Sequence, residues 1–296
     1  IWSTPNLYVA HYCLRHHIPY LLSIHGHLRR EALAIKWLKK KVGLALGYRA
    51  MLEGASVIHA LNQSEAEDIQ HFGLKAPVRV IPNGIDPTRF NETPSRSILD
   101  QHIPALTQSP YLLFLSRIHP PKGARKLAEA FRELSEEYPT LHLVIAGSDF
   151  GGIDEVRAVI EKSELSKRVH FPGFLSGLTK DSALAHASAF CLPSDHEGFS
   201  VAILEALAWG APTVISTGCH FPELERARAG WVYGVSAEEL TETLKRVIDD
   251  QELSSEVAQR GREWVRTHFS WMQIERAYHG AYPLREHRIR DNEVGG

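Results

Sequence analysis

The densest chemistry-bearing pattern begins at Arg117, which closes the apolar run Tyr111 to Ser116; Lys122-Gly123 follows five residues later, at the start of a helix-period segment. At the carboxyl end of a strand and the N-terminus of a helix, Arg-x4-Lys-Gly gathers a planar fork of donors, a point charge and free helix amides, a set suited to a dianionic diphosphate. By itself a basic solvated loop explains it as well. Further on, Ser194-Asp195-His196-Glu197-Gly198-Phe199-Ser200 follows an apolar run ending at Leu192 and leads into a helical segment carrying Glu205. Gly198 admits close approach of backbone to a ligand, and the amides of Phe199 and Ser200 fall where the helix opens. Were the chain between Glu197 and Glu205 wholly helical, the two would stand ~12 Å apart along the axis and ~80° apart around it. That span separates the sugar from the ribose of a molecule with a diphosphate between them. Either glutamate alone is an ordinary exposed helix charge. Two of them bracketing Gly-Phe-Ser, in a chain that also carries Arg-x4-Lys-Gly, are much harder to ascribe to chance.

These residues need elements to hold them, and short apolar runs alternate with helix-period stretches along the chain, the signature of βα units and a mostly parallel sheet. Expected strands are 18–24, 56–60 and 78–81, then 111–116, 141–146, 169–171, 189–192 and 213–215. Expected helices cover 28–52, 64–72, 124–138, 154–162, 179–187, 201–209 and 237–248, with a helical tail over 252–284. Ser64 and Glu67 fit a capping box. The stretch 91–110 is polar, holds Pro94, Pro104 and Pro110, and reads as a linker. The resulting division is a partial first α/β domain over 1–92, a second over 93–270, and a final helix and tail over 271–296 that return to the first. In open parallel sheets ligands sit beyond the carboxyl ends of strands, where Arg117 and Glu197 fall.

Composition limits the partners. With 33 Lys+Arg against 35 Asp+Glu, the net charge of −2 over 296 residues argues against bulk nucleic-acid binding. An apolar content of 44% excludes overall disorder. No run approaches the ~18–20 residues of a spanning helix and there is no leader pattern, so a soluble, cytoplasmic chain is expected. Cys13, Cys191 and Cys219 form neither a disulfide framework nor a zinc spacing. No Asp-x-Asp pair follows a strand, so neither a metal nor a cofactor is expected.

With these motifs in place, the chain resembles the retaining nucleotide-sugar glycosyltransferases of family 4 (group 1), which have the GT-B fold, two Rossmann-like α/β domains with parallel sheets facing across a cleft. The matching pieces are Ile81-Pro82-Asn83-Gly84-Ile85-Asp86 with Phe90, Ser116-Arg117 through Lys122-Gly123, Val144 to Gly147, and Val169-His170-Phe171-Pro172-Gly173. Glu197-Gly198-Phe199-Ser200 through Glu205-Ala206, Gly210 to Ser216, Pro222-Glu223 and Phe269-Ser270-Trp271 complete the set. Ser116 stands where many relatives have glycine.

The resemblance implies that Arg117 and Lys122 bind the donor diphosphate, with Ser116 beside them. Glu197 would hold the donor sugar hydroxyls and Glu205 the ribose hydroxyls. Backbone at Gly198, Phe199 and Ser200 would touch sugar or phosphate, the loop at Gly173 would lie near the base, and Asn83 would belong to the substrate site. It also implies that His25, in Ser23-Ile24-His25-Gly26 after a strand, reaches the donor sugar or acceptor; by type alone it would be structural. The expected chemistry is same-face attack by an acceptor hydroxyl, the departing phosphate taking the proton. The acceptor would be a glycan or lipid-linked glycan in cell-surface polysaccharide or glycolipid synthesis. Alternatives are a catalytically silent nucleotide-sugar-binding fragment and, less favoured, a nucleotide-sugar epimerase.

Two further expectations concern the first domain. Ile1-Trp2-Ser3 reads as the end of a strand, so the chain is expected to lack an N-terminal piece, to leave a sheet edge open beside the Tyr20 strand and to be unable to turn over alone. Between 28 and 49, Leu28, Ile35, Leu38, Val42 and Ala45 share one face of a helical wheel, read as the core side. Arg29, Lys36, Lys40 and Lys41 share the other, with Leu33, Trp37 and Leu44 down its middle. The favoured reading of that second face is a solvated surface; the alternative is peripheral contact with the inner face of the cell membrane.

Overall fold

The computed structural model describes residues 1–160, 164–234 and 236–282, with backbone only at 30, 31 and 164. The chain divides into two compact units: one of residues 1–81 with the end of the chain from Glu275, the other of Pro82–Ile274. Pro82 to Phe90 therefore belongs with the second unit.

The first unit opens with α1 (Thr4–Arg15), then β1 (Leu21–Ser23), the short helices α2 (Arg30–Ala34), α3 (Trp37–Gly43) and α4 (Arg49–Glu53), β2 (Val57–Ala60), α5 (Gln63–His71) and β3 (Val78–Val80). The three strands are parallel in the order β1-β2-β3, with Leu22 opposite Ile58 and Ile58 opposite Val78. Residues 1–3 are not a strand: they lead into α1, which carries Pro5 in its first turn, a position where the missing N–H costs nothing.

The expected continuous helix over 28–52 is broken, and its faces are not those of the wheel. Lys36 adopts a left-handed conformation (φ 53°) and Gly47 has φ 118°, so the helical phase restarts at each. Leu28 is buried as expected, but Ile35, Leu38 and Val42 are exposed, while Leu33 and Leu44 pack on the core. Arg29 leaves the basic face altogether: it is buried and pairs with Asp68 at 3.3 Å.

The second unit is built from α6 (Arg96–His102), β4 (Tyr111–Leu115), α7 (Ala124–Glu137), β5 (His142–Ala146), α8 (Ile153–Ile160), β6 (Val169–Gly173), α9 (Gly177–Ala185) and β7 (Ala189–Leu192). It continues with α10 (Val201–Trp209), β8 (Thr213–Ser216), α11 (Glu223–Arg226), β9 (Trp231–Tyr233), α12 (Ala237–Asp249) and α13 (Gln251–His268); α14 (Trp271–Ala281) begins there and ends in the first unit. Its sheet is parallel throughout, in the order β6-β5-β4-β7-β8-β9. The strands read as unbroken apolar runs because helices cover both faces, and residues 111–114 and 189–192 are all buried. The stretch read as a linker is folded: α6 buries Leu99, and Ser182 Oγ donates to the Ser95 carbonyl at 2.9 Å. The expected helix end at 161–162 and the tail from 283 lie outside the described residues.

Strand order grows outward from β4 toward β6 on one side and toward β9 on the other. The split between β4 and β7 is the topological switch point, and it brings the loop after β4 beside the loop after β7.

Candidate functional site

Beyond β4, β5 and β6 lies a cavity of about 620 Å³ lined by Ser116 and Arg117, by Gly147 and Phe150, by the turn from Phe174 to Gly177, and by Arg89, Lys180, Ala202 and Glu205. Gly147 makes the tight convergence of these strand ends possible. It has φ +147°, a Cβ there would stand 1.8 Å from the Ser116 carbonyl oxygen, and its N–H donates to the Gly173 carbonyl at 2.8 Å. Gly173, left-handed at φ +77°, ends β6 and turns the chain toward Phe174 at the cavity wall.

Arg117 is exposed, with its guanidinium 5.7 Å from the Phe150 ring centre, a cation–π distance. Among the described residues no carboxylate lies within ion-pair reach of it. The other cations of the site are engaged. Lys122 donates to Glu197 Oε1 at 2.6 Å, both side chains largely buried. Lys180 reaches both Glu205 oxygens at 2.7 Å, and Arg89 forks between Glu205 at 3.1 Å and Asp181 at 2.6 Å. The indole of Trp209 adds a bond to Asp181 at 3.3 Å. Burying a carboxylate is costly unless it is paired and hydrogen-bonded, which is what Arg89 and Lys180 provide for Glu205.

The expected residues thus fall into separate groups. Ser116, Arg117 and Glu205 share the cavity; Lys122 and Glu197 form their own pair at the switch point and are not among the described residues lining it. The helical span imagined between the glutamates is only partly helical, since α10 starts at Val201. The loop before it is held by backbone, with Asp195 N donating to Pro121 O at 2.8 Å and Glu197 N to Gly218 O at 2.9 Å. Gly123, at φ +79°, lets this loop press against the start of α7: a Cβ there would meet the Pro193 carbonyl at 2.0 Å. A Cβ on Gly198 would meet nothing within 4 Å, so there is open space beside it. The Phe199 ring packs edge-on with Phe221, centroids 5.8 Å apart. Ser200 precedes α10 in extended backbone, and among the described residues its hydroxyl caps no helix amide. Asn83 is half-buried, just before the bridge of Ile85 to Ser270, and does not line the cavity. His25 belongs to the first unit, exposed and left-handed at φ 51°.

Behind Glu197, the buried Cys219 thiol is pushed up to about 12, first by burial and then by the Glu197 charge, so it stays protonated at neutral pH. Sequence reasoning missed Lys180, Arg89 and Asp181. They meet Glu205 only through tertiary packing, 25 residues away for Lys180 and 116 for Arg89.

Comparison with known proteins fits these two units. Residues 96–264 match the family described as glycosyl transferases group 1, and residues 2–89 match glycosyltransferase family 4. The fold is that of the GT-B glycosyltransferases: a structure of HepE from Anabaena with UDP and glucose superposes with a TM-score of 0.79 at 23% identity, covering 93% of this chain and 74% of that one. The chain belongs to the group 1 glycosyltransferases. It is similar to a GDP-mannose-dependent alpha-(1-6)-phosphatidylinositol monomannoside mannosyltransferase of Mycobacterium tuberculosis, 26% identical over 85% of this chain. It is also similar to a putative colanic acid biosynthesis glycosyltransferase, WcaL, of Escherichia coli, 29% identical over 77% of this chain. The chain spans 66% of the length of the first and 57% of the second.

Proposed function

We propose that the protein transfers a sugar from a nucleoside diphosphate sugar to a hydroxyl acceptor with retention of anomeric configuration and without a metal. The observation that carries this reading is Arg117: a guanidinium without a carboxylate partner among the described residues, at the carboxyl end of β4, facing a cavity of about 620 Å³. The diphosphate would take Arg117 and Lys122, the sugar hydroxyls Glu197, and the ribose hydroxyls Glu205. In the reaction the bond from the anomeric carbon to the diphosphate oxygen breaks and a bond to the acceptor oxygen forms on the same face. The acceptor proton passes to the leaving phosphate. Arg117 and Lys122 stabilise the growing charge on that phosphate, a kind of contribution worth ~3–4 kcal/mol for a well-aimed donor. His25 would serve the sugar or acceptor side.

The names of the relatives support a glycan or lipid-linked acceptor and leave GDP-mannose, and the UDP-glucose bound in another structure of HepE, as the first donors to try. Titration calorimetry with both donors, followed by transfer assays, tests the proposal. Arg117→Ala should weaken donor binding by at least ~10-fold, the loss of one charge-assisted contact. Donor binding with neither transfer nor hydrolysis supports a silent binding protein instead. Binding indifferent to Arg117→Ala refutes the site.

A further inference from the structure

The turn that carries His25 is held by a carboxylate from another element. Glu65 lies in the first turn of α5 and is 1% exposed. The helix is capped without its side chain, because Asn62 Oδ1 accepts from Glu65 N at 2.8 Å, so the capping residue is Asn62 rather than the expected Ser64. The Glu65 carboxylate is left for other work. Its Oε2 accepts from Leu61 N at 2.6 Å, at the end of β2, and its Oε1 accepts from Gly26 N, 39 residues away. One carboxylate therefore ties the turn after β1 to the end of β2.

That turn needs a tie. His25 and Gly26 are left-handed in succession, at φ 51° and 74°, a region that is sterically disfavoured for a residue with a Cβ. The residue before is fixed by burial of Ile24 and by its N–H donating to the His59 carbonyl at 3.3 Å; the residue after is fixed by Glu65. Charge-assisted bonds from backbone N–H groups are among the stronger restraints available, and a carboxylate in a helix's first turn is favoured by the helix dipole. His59 adds a neutral backing: its Nε2–H donates to the Ile81 carbonyl at 2.6 Å, leaving Nδ1 to accept from Ser23 Oγ at 2.8 Å, and burial lowers its basicity.

We infer that Glu65 is a positioning residue for His25, acting through the Gly26 amide to hold the imidazole in the one turn conformation that serves the reaction. The inference rests on the part that the proposed function gives His25. Glu65→Gln keeps the size of the side chain but offers Gly26 or Leu61 an amide NH2 in place of an acceptor oxygen. In the full-length protein it should lower kcat on the order of 10- to 100-fold, the usual result of a small misplacement of a reacting group. Affinity for the nucleoside diphosphate should stay within about twofold, since none of the residues expected to bind it lies in the first unit. Exchange of the Gly26 amide proton, followed by NMR, should accelerate, and Glu65→Gln should cost little further in a His25→Ala background. A Glu65→Gln enzyme with wild-type kcat, or one whose loss multiplies with that of His25→Ala, overturns the inference while leaving the function intact. Full activity of His25→Ala, or a protein that binds donor without turnover, overturns it together with the part assigned to His25. Unchanged Gly26 exchange in Glu65→Gln overturns it whatever the activity.

Discussion

Replacing Gly147 with alanine probes the geometry on which the cavity depends. The new Cβ would stand 1.8 Å from the Ser116 carbonyl oxygen and 2.8 Å from its carbon, and both are backbone atoms that no rotamer change can move aside. Two costs add. Holding alanine at φ +147° is a strained conformation, ~1–3 kcal/mol, and separating two packed backbone segments is overpacking, also ~1–3 kcal/mol. A loss of ~2–6 kcal/mol corresponds to a fall in Tm of roughly 5–20 °C for a unit of this size. Gly151→Ala supplies the control. Its φ is +88° but nothing lies within 4 Å of the added Cβ, so only the conformational cost applies. Urea unfolding of both variants separates the two contributions. Because Ser116 precedes Arg117, displacement of its carbonyl should also weaken nucleoside diphosphate binding in Gly147→Ala and not in Gly151→Ala. Equal unfolding midpoints for the two variants would refute the close approach of β4 and β5 at this point.

Other consequences are open to measurement. His142 Nδ1 and His170 Nε2 are 2.8 Å apart, and both imidazoles are made less basic, His170 to about 4 by burial and then the His142 charge, His142 by burial and then Arg168. The unfolded chain takes up these protons near 6.5 and the folded chain does not, so the stability contributed is complete above that pH and declines as pH falls from 6.5 toward 4. Urea midpoints across that window should fall less steeply in His170→Gln than in the wild type; parallel slopes would count against the pair. On the first unit, exposed Ile35, Trp37, Leu38 and Val42 alternate with Lys36, Lys39 and Lys41, a composition that fits anionic lipid. If the patch docks on such lipid, Trp37→Glu should abolish co-sedimentation with phosphatidylglycerol vesicles; unchanged sedimentation would favour the solvated surface.

Much of the scaffold was legible because parallel strands covered on both faces leave unmistakable apolar runs: Tyr111 to Leu115 and Ala189 to Leu192 could be read directly. The strand-end position of Arg117 and the start of α10 after Ser200 followed from that rhythm. What was hidden depended on tertiary contacts or on single backbone angles. The stretch 91–110 has too few apolar residues to advertise a helix, yet Leu99 and Leu106 are fully buried, in one apolar cluster with residues of α9 and the sheet. The basic segment was misread because a helical wheel assumes constant phase, and one left-handed residue, Lys36, breaks it. Likewise α1, with Tyr8, Val9 and Tyr12 exposed and only Ala10 and Cys13 buried, lacks the one-sided pattern that identifies a surface helix. At the site, the residue types were readable and their partners were not. Nothing in Glu-x7-Glu indicates that one glutamate meets Lys122 and the other Lys180 and Arg89.

Under the proposed function, those pairings would give Glu197 a double role with an opposite-signed test. If the diphosphate takes Lys122 as proposed, it must compete with the buried Glu197 carboxylate that Lys122 meets at 2.6 Å, whereas Arg117 has no carboxylate partner among the described residues. Drawing Lys122 toward phosphate would turn Glu197 toward the hydroxyls of the donor sugar, so that the sugar repays part of the cost of breaking the pair. Glu197→Gln removes the competing charge at nearly constant shape. A nucleoside diphosphate without sugar should bind it more tightly than wild type, by about 2- to 13-fold if the pair is worth the ~0.5–1.5 kcal/mol of an ordinary net hydrogen bond. The sugar-bearing donor should gain less or lose affinity, because its hydroxyls no longer meet a charged acceptor. Calorimetry on the two ligands with both proteins reads the crossover directly. If the substitution weakens both ligands equally, Glu197 serves only to hold its loop, and the coupling between diphosphate and sugar through Lys122 does not exist.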